Sequence, residues 1–110
     1  MGKKVYLMIK VRVPIESVGE FNEFWRREAL PIWIKHGIKH IGSFTNFIGD
    51  PMNEIIRLFE FDSIDQWEQW ERFLIESEEG RNLFKGVSRF MLSTEKKLLL
   101  PAYEKESDLP

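Results

Sequence analysis

Two histidines, one arginine set among apolar strand residues, and four tryptophans are the side chains of this sequence best equipped for chemistry. His36 and His40 are spaced H-x-x-x-H, which on a continuous helix puts both imidazoles on one face, ready to share a metal or a proton. Gly37 reads as a helix stop between them, and with no cysteine and no obvious third ligand the pair does not make a metal site. A histidine in a last helical turn commonly packs its ring and favours the helix dipole. The chemical alternative is a general base, a role open to either His36 or His40. Arg57 shares strand parity with Ile55, Phe59 and Phe61, so its cation must meet a carboxylate or an anionic group, because an unpaired buried charge is costly. Three readings follow: a structural ion pair, an anchor for an anion or carbonyl in a cleft, or simple exposure at a strand edge. Trp25, Trp33 and Trp67, with Asn46, complete the candidate binding set. Tryptophans ordinarily fill cores, but aromatics at 14% of 110 residues are enough to line a pocket or an interface as well.

Composition removes several classes. No serine lies in a G-x-S-x-G elbow, and the seven glycines are scattered rather than gathered into a phosphate loop. Sixteen basic and eighteen acidic residues are interleaved for a net charge of -2, without the clustered cations that nucleic acid requires. Lys96 and Lys97, the densest basic spot near the end, are balanced by Glu95, Glu104 and Glu106. No apolar run approaches a membrane span, and the start runs straight into a strand rather than a signal peptide. With no cysteine, the expected address is the cytoplasm.

The elements that must position these groups follow from periodicity. Val5 to Val13 alternates as a strand, with Val5, Leu7, Ile9, Val11 and Val13 on its core face. Ser17 to Glu20 has the S-x-x-E form of a capping box and predicts a helix whose stripe runs Val18, Phe21, Trp25, Ala29, Ile32 and on to His36. Pro31 predicts a kink near Leu30, and Leu30, Trp33 and Ile34 fall off the stripe, to touch a second subunit as a sticky edge or to line a cleft. His40, Gly42, Phe44 and Asn46 then alternate with Ile41, Ser43, Thr45 and Phe47 in a second strand. Gly49 to Asn53 turns the chain, and Glu54 to Phe61 alternates again. Ser63 to Gln66 repeats the capping box, and Ile64, Trp67, Trp70 and Leu74 form the next stripe. Ser77 to Gly80 breaks that helix, Arg81 to Met91 resumes it, and Thr94 to Leu100 is the closing strand. The order predicts an α+β, ferredoxin-like βαββαβ domain over residues 1–103, with both helices on one face of an antiparallel four-stranded sheet and a polar tail over 104–110. The other face, with Tyr6 and Met8, is too apolar to stay wet, so the expectation is a homodimer.

Gly42, Phe44, Thr45 and Gly49, followed by the run Glu54 to Ser63, resemble the central block of the NIPSNAP family. Leu30 and Pro31, the helix ending Lys35, His36, Gly37, and the closing run Lys97 to Ala102 extend the likeness over residues 5–103. The resemblance implies a dimeric α+β barrel. Leu7, Ile9 and Val11 stand where members often carry an alternating acidic, arginine and tyrosine pattern, and Arg57 stands at their histidine. The wider superfamily includes cofactor-independent monooxygenases, haem-degrading enzymes, isomerases and ligand-binding modules. In its haem-handling barrels a histidine, an asparagine and a tryptophan converge between helices and sheet, a set that His36 or His40, Asn22 or Asn46, and Trp25 or Trp67 could imitate. The residues themselves require no cofactor; haem enters through that likeness alone. The expected function is binding of a small hydrophobic or aromatic ligand in a cleft between helices and sheet, with an anionic group near Arg57. The alternatives are a small monooxygenase, haem-handling enzyme or isomerase using His36 or His40, and an interaction module presenting Leu30, Trp33 and Ile34.

Overall fold

The computed structural model describes residues 3–102; the expected tail from Glu104 lies outside them. Four strands, β1 (Val5–Arg12), β2 (Lys39–Thr45), β3 (Glu54–Phe61) and β4 (Ser93–Leu99), pair antiparallel in the order β2-β3-β1-β4. This is the ferredoxin-like plan that the element order predicts. Alternation along β3 is complete, with Ile55, Arg57, Phe59 and Phe61 all buried on the helix-covered face.

The first helical segment departs from the pattern twice. A 3-10 turn at Ile15–Ser17 winds into α1 (Val18–Phe24), so Ser17 already has near-helical backbone and its hydroxyl makes no capping bond. The expected first capping box is absent because a cap needs extended backbone at that residue. Next comes a π-helical turn, Trp25–Ala29, before α2 (Leu30–Lys35), with Pro31 in the first turn of α2. A proline has no N–H to give the preceding turn, and a π turn takes up an extra residue there. That residue shifts the buried stripe one place, from Ile32 to Trp33. Trp33 stacks on Phe59 at 3.9 Å, with Trp70 4.3 Å away. The sticky edge therefore loses its centre: Trp33 is buried and Leu30 half-buried, while Ile34 is exposed. Gly37, at φ 77°, ends the helix in the left-handed conformation.

The second half keeps closer to expectation. Ser63 Oγ accepts from the Gln66 backbone N–H at 3.2 Å, capping α3 (Ile64–Glu76). Gln66 then donates to the carbonyl of Gly37 at 3.2 Å, tying α3 to the end of α2. Ser77 caps α4 (Glu78–Ser88) in turn, accepting from the Gly80 N–H at 2.8 Å. Two buried clusters result. One gathers Trp25, Trp33, Phe59 and Trp70 with Val5 and Leu7; the other gathers Val11, Val13, Phe21, Ile55 and Phe90, and Ile9 and Val87 pack on both.

Asn53, buried at the start of β3, clamps the second cluster: its side-chain amide donates to the Val13 carbonyl at 2.6 Å, and the Val13 N–H donates back to its carbonyl. Asn53→Ala leaves the Val13 carbonyl without that donor, and we expect a loss of about 1–3 kcal/mol. Urea unfolding with an unchanged slope and a lower midpoint would register it.

The uncovered face of the sheet carries Tyr6, Met8, Phe44, Ile56, Leu58 and Leu99, which register places on one side. Lys4 with Glu60, and Glu95 with Lys10 and Lys97, form ion pairs on that same face.

Candidate functional site

A cavity of about 310 Å³ opens between the helices and the sheet where the two clusters meet. Ile9 and Val11 line it from the sheet, and Phe21, Trp25, Trp33, Trp70, Leu83 and Val87 from the helices. The helix layer leaves the front of β4 uncovered, and the exposed rim residues Phe84, Leu92 and Lys96 mark the mouth. The walls are almost wholly apolar.

Arg57 is the buried polar residue among them. It is 3% exposed and lines the cavity from β3, with its guanidinium carbon 4.0 Å from the Trp25 ring centroid. It donates to Ser43 Oγ at 2.7 Å and to Asn22 Oδ1 at 3.4 Å. No carboxylate forms an ion pair with it among the described residues, so the structural ion pair open to it in the sequence is not made. Burial lowers its pKa to about 10, which leaves it cationic at neutral pH. Two indole N–H groups in the same wall, those of Trp25 and Trp70, are buried without a hydrogen-bond partner. A buried donor left unpaired is costly, so these two indoles and the uncompensated Arg57 leave the surroundings of the cavity with unspent hydrogen-bonding capacity.

His40 reaches this network by a route that alternation does not reveal. β2 is irregular between His40 and Gly42, so His40 pairs with Phe59 while Gly42 pairs with Leu58. The irregularity moves His40 onto the face of Ser43 and Arg57, whereas simple alternation puts it opposite Ser43. His40 Nε2 lies 2.9 Å from Ser43 Oγ, which in turn accepts from Arg57. Burial first, and then the positive charge of Arg57, push His40 below its ordinary 6.5, against an opposing pull from the Gly42 backbone. With the folded value depressed, the unfolded chain binds the proton more readily. The stabilisation from neutral His40 is therefore complete above about 6.5 and is lost as pH falls through the folded value. Denaturant midpoints of the parent and His40→Gln across that window should differ in slope, the parent falling more steeply toward acid.

The other candidate residues sit elsewhere. His36 packs its ring on Phe73 at 4.1 Å and near Trp70, with Nε2 buried and unpartnered. It does not line the cavity. Trp67 packs against the first cluster, also outside the lining. Asn46 commits its amide to the loop, donating to the Pro51 carbonyl at 2.7 Å. Of the candidate set, then, Arg57, Trp25 and Trp33 come together in the cavity, His40 stands one hydrogen-bonded step behind Arg57, and His36, Trp67 and Asn46 lie apart. Neither histidine is in the cavity wall, so that wall offers a haem iron no imidazole ligand and does not fit that group. No three His, Cys, Asp or Glu side chains gather as a metal site among the described residues.

The NIPSNAP family profile matches residues 6–103. The chain belongs to the NIPSNAP family. Solved NIPSNAP structures share the fold described above. A NIPSNAP family protein from Agrobacterium tumefaciens aligns with a TM-score of 0.78 at 22% identity, covering 93% of this chain and 89% of its own. An uncharacterized NIPSNAP domain protein from Burkholderia xenovorans aligns at 0.76 and 18% identity, covering 89% and 94%. A candidate antibiotic biosynthesis monooxygenase from Nitrosomonas europaea aligns at 0.66 and 10% identity, covering 94% of each chain. At these identities the likeness is one of fold. No curated protein matches this NIPSNAP chain. Ser43, Trp70 and Lys96 are the site residues that pattern reading passes over. Lys96 alone had a usable signal, because strand alternation separates it from the glutamate and lysine on either side.

Proposed function

We propose that this NIPSNAP domain binds a small hydrophobic or aromatic acid in the cavity between helices and sheet, with the acid group on Arg57. The observation that carries the reading is Arg57 itself: a cation 3% exposed, in an apolar wall, with no carboxylate paired to it among the described residues. A fold that needed only packing at this position would be served by an apolar residue, because a buried charge without a counter-charge costs stability. Native mass spectrometry of protein purified from its own host tests the reading. A retained organic acid, lost on Arg57→Met, supports it; bare protein that also fails to bind an aromatic acid in calorimetry would sink it.

The pairing of two copies through the uncovered sheet faces belongs to the same proposal. Phe44 is half exposed on that face, and Met8, Ile56 and Leu58 lie around it. Apolar patches of this kind on a small domain are commonly covered by a partner. Light scattering should give twice the chain mass for the parent and the single mass for Leu58→Glu; a monomeric parent would refute the pairing. The absence of cysteine favours the cytoplasm as its address.

One observation favours an enzymatic reading as the second choice. His40, kept neutral beside Arg57 and bonded to Ser43, has the state of a general base next to an anion holder. In that reading His40 takes a proton relayed by Ser43 from a substrate whose acid group Arg57 holds. Turnover that persists undiminished in His40→Gln would eliminate it.

A further inference from the structure

Lys96 stands on the same sheet face as Arg57 and in the same cross-strand row, since Ile9 pairs with Arg57 on one side and with Lys96 on the other. Two inter-strand steps, roughly 10 Å, separate the two backbones. Both residues line the cavity. Ser43 and Asn22 draw the Arg57 head toward β2 and α1, away from β4. The two cations therefore occupy opposite margins of the pocket, with Ile9 between them. Lys96 makes no ion pair among the described residues, and its neighbours Glu95 and Lys97 pair with each other on the opposite face. Among the described residues the lining contains no aspartate or glutamate. An apolar volume flanked by two cations and no anion is a charge arrangement that selects its occupant.

We propose that the occupant is a dianion on an apolar body, an aromatic or aliphatic dicarboxylic acid, with one acid group on Arg57 and the other on Lys96. This rests on the reading that the cavity binds a hydrophobic acid. The two anchors differ in kind. Arg57 is desolvated, so its contact resists salt; Lys96 is exposed at the mouth, so its contact is screened within a Debye length. Arg57 sets whether an acid is accepted at all, and Lys96 sets the preference for a second acid group.

Calorimetric titration of the intact protein with naphthamide, naphthoate and a linear naphthalene dicarboxylate separates the two claims. Naphthoate should bind at least about tenfold more tightly than naphthamide, and the dicarboxylate about tenfold more tightly again at low salt, as expected for one charge-assisted contact each. The second advantage should fade as salt rises, and the first should persist. Lys96→Met should bring the dicarboxylate down to the naphthoate level, while Lys96→Arg keeps the preference. Naphthoate binding through Arg57 with no gain for the dicarboxylate, or a gain that Lys96→Met leaves intact, overturns this inference and leaves the reading of the cavity standing. Equal binding of all three, or none, overturns both.

Discussion

Arg57→Met leaves the unliganded protein as stable as the parent, or more stable by up to about 2 kcal/mol, while lowering its affinity for an aromatic acid about a hundredfold. The two halves of this result come from one balance. Burial lowers the arginine well below its ordinary value, to about 10, which corresponds to roughly 3 kcal/mol of desolvation carried at neutral pH. Against that stand a cation-π contact with Trp25 worth about 2 kcal/mol when desolvated, and hydrogen bonds to Ser43 and Asn22. The terms nearly cancel, so methionine, similar in reach and without a charge, costs the fold little. The ligand has no such substitute, since its acid group loses the buried cation that Arg57 places in the cavity wall. Thermal unfolding without ligand and calorimetry with naphthoate read the two effects separately. A loss of more than about 1 kcal/mol in the first measurement would show Arg57 to be a structural residue, contrary to the assignment made for it.

Gly80→Ala should be the most damaging conservative substitution in the chain, costing about 3 kcal/mol and lowering the melting temperature on the order of 10 °C. Gly80 is buried where α4 begins against the end of α3. A methyl group there would run into the Phe73 carbonyl oxygen and sit 2.7 Å from Leu74 Cα. Both obstacles are backbone, so neither can rotate away, and α4 would have to move off α3. The Ser77 cap would be disturbed with it, because Gly80 supplies the N–H that Ser77 accepts. Two control substitutions make the result specific. Gly86 faces only the end of the Phe24 ring, which can swing, so Gly86→Ala should cost less. Gly19 has open space around it within α1, so Gly19→Ala should stabilise by about 0.5–1 kcal/mol. Equal effects at all three positions would show that helix propensity, and not close approach, governs the response.

How far the site could be read in advance varied by residue, and the reason is the same each time. Arg57 was legible because β3 alternates without interruption, so its place among Ile55 and Phe59 follows from a period of two. The core position of Trp33 was not, although the residue stood in the candidate set, because a single π turn displaces the helical stripe. His40 was not, because one irregular residue in β2 reverses the face on which everything before it lies. The first serine cap failed and the second held, because a 3-10 turn precedes α1 whereas Ser63 before α3 is extended.

The order of the elements, the antiparallel βαββαβ plan, the apolar front of β1 and β3 and the position of Arg57 within it were therefore determined by sequence alone. They depend on periodicities that each segment expresses by itself. Whether Arg57 meets a carboxylate, which tryptophans share its cavity, and where His40 points were decided only in the tertiary structure. Those outcomes turn on one-residue shifts in a helix and a strand, and the contacts that favour such shifts come from distant parts of the chain.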